Sequence, residues 1–137
     1  GQAMIDVQGN HAVLRAFLGE ARERLAAVDR KLDALQSRPG NQVLWNAICR
    51  DFHGVTRGAA FFDVTALLEL CQSVEMLFEE LRESEPALSA QLRELIVAAM
   101  RAVLAILEDV AHDRPPAAQG TLVAQLREAA GVPARRS

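Results

Sequence analysis

The sequence predicts an all-α protein: an antiparallel, up-down four-helix bundle followed by a short fifth helix at its C-terminal end. Three observations carry that expectation. Half of the 137 residues are hydrophobic and only 4% are aromatic, with Ala, Leu, Glu and Arg dominating, the composition of helices packed against helices. Clusters rich in Pro, Gly or Ser punctuate the chain at Ser37-Arg38-Pro39-Gly40-Asn41, at Ser84-Glu85-Pro86 and from Arg114-Pro115-Pro116 through Gly120. Between them, apolar residues recur at spacings of three and four, which lays them along one stripe of a helix. A chain of this length is one domain, 1–137, with the bundle expected over about 9–113 and the extra helix over about 121–131.

The first helix rests on Leu14, Leu18, Ala21, Leu25, Val28, Leu32 and Leu35, with His11 at its beginning. Gly1-Gln2-Ala3, ahead of Met4, reads as a cloning remnant outside the fold. The second helix starts near Asn41, buries Leu44, Ile48, Phe52, Val55 and Ala59, and ends near Phe61-Phe62-Asp63; Trp45 is a packing residue. Val64, Leu67, Cys71, Val74, Phe78 and Leu81 form the stripe of the third helix. Leu92, Ile96, Ala99, Val103, Ile106 and Val110 form that of the fourth, which follows Ser89 and ends near His112, where an imidazolium suits the helix dipole. The fifth is expected to be capped by Thr121, stopped by Gly131 and Pro133, and packed as an appendage.

A net charge of -3 and a pI near 5.6 leave no basic stripe, which disfavours nucleic acid as a partner. Cys49 and Cys71 fall in apolar helical stretches without a CxxC or a nearby histidine at ligand spacing, so both are expected to be buried free thiols. No leader pattern is present, and the most apolar run, Leu95 to Leu107, is short and interrupted by Arg101. The expectation is a cytoplasmic protein that does not engage the membrane. No phosphate loop, nucleotide motif or metal-ligand cluster appears, so no cofactor and no catalysis are expected of this chain alone. A metal or hydrolytic bundle enzyme has no Glu-x-x-His pair and no activated serine or cysteine to support it.

Asn46, Arg50, His53 and Arg57 recur at spacings of four, three and four on the side of the second helix opposite its apolar stripe, which predicts a solvent-facing His53. Gly54 and Gly58 stand beside it, each costing about 1 kcal/mol relative to alanine in a helix. Two explanations stand: open access to the imidazole for a partner's active site, or close helix packing. A phosphoacceptor histidine needs one neutral, exposed ring nitrogen and an acceptor that holds the proton of the other. On the third helix Leu68, Gln72, Glu75 and Glu79 share a face offset from the stripe, which brings Glu75 within reach of His53, although Glu75, Glu79 and Glu80 also read as a solvated acidic face. Arg57 is the first candidate for a cation at the phosphoryl group and Arg50 the second.

The segment from Ile48 to Phe62 resembles the phosphohistidine segment of Hpt domains and is most similar to the N-terminal phosphotransfer domain of CheA-type chemotaxis histidine kinases. The family's His-Thr-Ile-Lys-Gly-Gly-Ala-Gly-Phe-Phe aligns without gaps onto His53-Gly54-Val55-Thr56-Arg57-Gly58-Ala59-Ala60-Phe61-Phe62. The resemblance extends back to Phe17-Leu18-Gly19-Glu20-Ala21-Arg22-Glu23 and on through Leu67 to Glu75 and the helix after Ser89. It implies that His53 is the phosphohistidine and that Glu75 is the glutamate hydrogen-bonded to it. Three positions depart from the family: its lysine is Thr56, the glycine after it is Arg57, and a supporting histidine on the next helix is Gln72. The implied function is a phosphorelay or chemotaxis carrier, loaded by a histidine kinase catalytic domain that itself binds ATP and Mg²⁺, and unloaded by a response-regulator receiver domain. The chain then reads as the N-terminal piece of a histidine kinase. The alternative is a degenerate Hpt-like interaction module that docks a kinase or regulator without carrying phosphate.

Overall fold

The computed structural model describes residues 2–84 and 87–131, with side chains from residue 11 onward. Four long helices run α1 (Gln2–Ser37), α2 (Gln42–Phe62), α3 (Thr65–Ser84) and α4 (Ala90–Ala111), and a short α5 (Gly120–Ala129) follows. The bundle is a ring: α1 packs on α2 and α4, and α3 packs on the same two. The whole predicted stripe of α1 is in the core, joined by Phe17, and so are Ile48, Phe52, Val55 and Ala59 of α2. Leu44, Val64, Leu92 and Val110, placed on the stripes by their spacing, are half-buried at the helix ends. Trp45 is sealed against Phe78, whose ring meets Phe52 edge-on at 5.6 Å.

Short connections hold the helices antiparallel. Gly40 supplies the positive φ of 75° that turns α1 into α2, and the Asn41 side chain accepts from Leu44 N at 3.0 Å to cap α2. Asp63, in the left-handed region at φ 55°, ends α2. Ser89 caps α4 by accepting from Leu92 N at 3.1 Å, while Glu85 and Pro86 of the expected break lie outside the described residues. At the far end, the His112 ring donates from Nδ1 to the Glu108 carbonyl at 2.8 Å.

Three expectations are corrected. α1 starts at Gln2, so Gln2 and Ala3 belong to the helix and His11 lies well inside it, its Nε2 3.0 Å from Asp113 Oδ1, while Gly1 lies outside the described residues. α5 begins at Gly120 with Gln119 in the cap position and no side-chain cap bond, so Thr121 caps nothing; Gly131 at φ 78° stops it as expected, and Pro133 lies outside the described residues. Nor is α5 an appendage. Val123, Leu126 and Ala130 belong to the common core, and α5 packs on α3 and α4, which bury Leu70, Leu77, Met100 and Leu107 beyond their predicted stripes. A second apolar stripe on each of two neighbouring helices needs a cover, and α5 supplies it.

Candidate functional site

His53 stands in the middle of α2, whose fully buried Ile48, Phe52 and Val55 fix the helix so that the imidazole points outward with 61% of its side chain exposed. Its Nδ1 lies 2.9 Å from Glu75 Oε1 of α3. A carboxylate only accepts, so the bond places the ring proton on Nδ1 and leaves the Nε2 lone pair facing solvent. Glu75 is itself one-quarter exposed and set between Cys71 and Phe78, both in the core, so α3 packing aims the carboxylate. Its charge reaches inward as well: the Cys71 thiol is pushed up to about 12, first by burial and then by Glu75.

An open groove of about 870 Å³ holds the pair. Asn46, Arg50 and Arg57 line it as expected, and Arg50 and Arg57 are exposed with no ion pair among the described residues. Gln72 is exposed one turn before Glu75 and hydrogen-bonds to neither partner of the pair. Thr56 is corrected: it is buried on the inner side of α2, donating to the Phe52 carbonyl at 3.3 Å, so this position presents no side chain to the groove. Cys71 is buried as expected, but Cys49 is only half-buried and lines the groove, its pKa raised by burial against the opposing charge of Arg82.

The two glycines divide. A Cβ on Gly58 would fall inside the Phe17 ring of α1, so this residue is there for close helix packing, not for access. Gly54 lines the groove, yet the room it leaves is taken by the Arg24 guanidinium of α1. Arg24, Arg82 and Asp51 are groove residues the sequence reading missed; Asp51 is tied to Lys31 of α1 at 2.5 Å. A signal was present. Phe17, Ala21, Arg24, Val28, Lys31 and Leu35 repeat at four and three, so two of the five cations of α1, Arg24 and Lys31, sit in register with its buried face, where an unpaired charge is unexpected.

Among the described residues no three His, Cys, Asp or Glu side chains gather to hold a metal ion, and no helix is long and apolar enough to cross a membrane. Residues 12–110 match the family model of the Hpt domain. No curated protein sequence is significantly similar to the chain. Among solved structures, the phosphorylated P1 domain of CheA3, crystallised in complex with CheY6 from R. sphaeroides, is similar at a TM-score of 0.73 over 88% of this chain and 97% of that one, with 18% identity.

Proposed function

The chain belongs to the Hpt domain family, and from that premise we propose that His53 accepts a phosphoryl group from the ATP bound to a histidine kinase catalytic domain and passes it to an aspartate of a response-regulator receiver domain. The observation that carries the reading is the 2.9 Å bond from Nδ1 of an exposed imidazole to Glu75. With Nδ1 protonated and held, Nε2 is the nucleophile. Its lone pair attacks the γ-phosphorus of ATP, the bond to the ADP oxygen breaks and the N–P bond forms. The ring becomes cationic, and the Glu75 carboxylate stabilises that charge without moving. In the second step the regulator's aspartate oxygen attacks phosphorus, the N–P electrons return to Nε2 and the neutral ring is regenerated.

The departures at the site bear on charge. A phosphoryl group gains little from covalent help and much from positioning and cations. Thr56 brings none; Arg57 and Arg50, one turn after and one turn before His53, place positive potential at the mouth of the groove. ATP and Mg²⁺ belong to the partner kinase, and a receiver domain as recipient is supported by the complex of the phosphorylated CheA3 P1 domain with CheY6. The alternative, a docking module without phosphate, rests on Thr56, Arg57 and Gln72; the retained pair of His53 and Glu75 favours the carrier. Incubation with a histidine kinase catalytic domain and labelled ATP tests the reading: wild type takes up acid-labile label and His53→Gln does not. Equal labelling of the two proteins refutes the assignment.

A further inference from the structure

One glycine of α2 has its empty space filled from another helix. A Cβ on Gly54 would land against the Arg24 guanidinium, 2.6 Å from Cζ and 3.0 Å from Nε. The head group of Arg24 therefore occupies the position that a side chain directly after His53 would take, in the groove that holds the imidazole. Glu20, one turn earlier on α1, accepts from Arg24 Nε at 3.0 Å, and Nη2 lies 2.9 Å from the same oxygen in an ion pair. Nε–H of the guanidinium is thus engaged, and both donors on Nη1, the atom nearest Gly54, are among those that remain.

We propose that Arg24 is the residue that grips the phosphoryl group on His53, with Gly54 as the slot that admits its guanidinium and Glu20 as the strut that aims it; this rests on His53 being the phosphoacceptor. The competing cations differ in how they are held. Arg50 and Arg57 are exposed and unpaired among the described residues, so each must surrender side-chain freedom to meet a phosphoryl group. Arg24 is drawn toward Gly54 by its ion pair with Glu20, so less of that freedom is left to surrender and its charge stands in the groove before the transfer begins. Its planar fork also matches two phosphoryl oxygens at once, which an ammonium does not. The arrangement explains why a helix-weakening glycine stands beside the reactive histidine: any larger residue would push the guanidinium out.

The test uses the 137-residue chain, a histidine kinase catalytic domain and ATP with Mg²⁺. Two quantities are read, the rate of His53 labelling and the pH at which the bound phosphoryl group takes its last proton, followed by ³¹P NMR. A touching guanidinium favours the dianion, so Arg24→Ala raises that pH and slows labelling about tenfold. Arg24→Lys, with charge but no fork, recovers part of both. Gly54→Ala displaces the guanidinium while improving the helix, so it moves both readouts in the same direction as Arg24→Ala without weakening the fold. A phosphoryl titration unmoved in Arg24→Ala overturns the assignment, whether or not labelling slows, because slower labelling alone is a docking effect. Absence of label on the wild-type domain overturns the carrier reading itself.

Discussion

Alanine at Gly58 destabilises the bundle, whereas alanine at Gly54 does not. At Gly58 the added Cβ would stand 2.5 Å from Phe17 Cζ and 2.7 Å from Cδ1. Phe17 is 8% exposed and lies against Phe62 with ring centroids 5.6 Å apart, so it has nowhere to swing. Overpacking of this kind costs about 1–3 kcal/mol, and the better helix propensity of alanine returns about 1, which leaves a net loss of about 1 kcal/mol. At Gly54 the obstacle is the far end of a flexible arginine. Moving it sacrifices an exposed ion pair worth about 0.5 kcal/mol, so the propensity term wins and the variant gains about 0.5 kcal/mol. The two variants should thus melt about 5 °C apart, with wild type between them, as followed by far-ultraviolet circular dichroism. Phe17→Leu combined with Gly58→Ala should recover part of the loss through relieved crowding. A Gly58→Ala variant at least as stable as wild type would show that α1 does not press on this position, and the glycine would revert to a keeper of open surface.

Glu75→Ala frees the imidazole, and labelling of His53 should slow about tenfold or more, while Glu79→Ala on the same face should change it less than twofold; equal effects would mean that the two carboxylates act only as a diffuse acidic surface. The Cys71 thiol, raised from 9.0 to about 12, binds its proton more tightly in the folded chain than in the unfolded one. The associated stability is therefore intact below about pH 9 and lost as the pH climbs toward 12, up to about 4 kcal/mol in full. Urea titrations of wild type and Cys71→Ala between pH 8 and 11 check this, and parallel pH profiles would contradict it. A thiol reagent at pH 8 should modify half-buried Cys49 slowly and leave Cys71 untouched until the chain is unfolded; rapid modification of both would deny the burial of Cys71.

The bundle was legible because each long helix writes its buried face in its own spacing, and all seven stripe residues of α1, from Leu14 to Leu35, lie in the core. The same rule placed His53 outside and Glu75 opposite it. What spacing does not carry is the identity of the neighbour. Gly54 and Gly58 look alike in sequence, yet one receives an arginine and the other a phenylalanine from α1, a difference made by helix register across the interface. Thr56 aligns with a family lysine, but it lies on the flank of His53 away from Arg50 and Arg57, one turn after Phe52, and the core claims it there. The α5 helix hid its role because ten residues with two fully useful apolar positions, Val123 and Leu126, do not reveal which groove they close.

The most direct test of the whole account is the atom that bears phosphorus. Nitrogen-15 NMR of the kinase-phosphorylated domain, with the histidine rings labelled, distinguishes the two ring nitrogens of His53 by their coupling to ³¹P. The predicted spectrum has phosphorus on Nε2 and a proton retained on Nδ1, still bonded to Glu75. Phosphorus on Nδ1, or on His11 or His112 with His53 unmodified, would contradict the chemistry derived from the 2.9 Å bond.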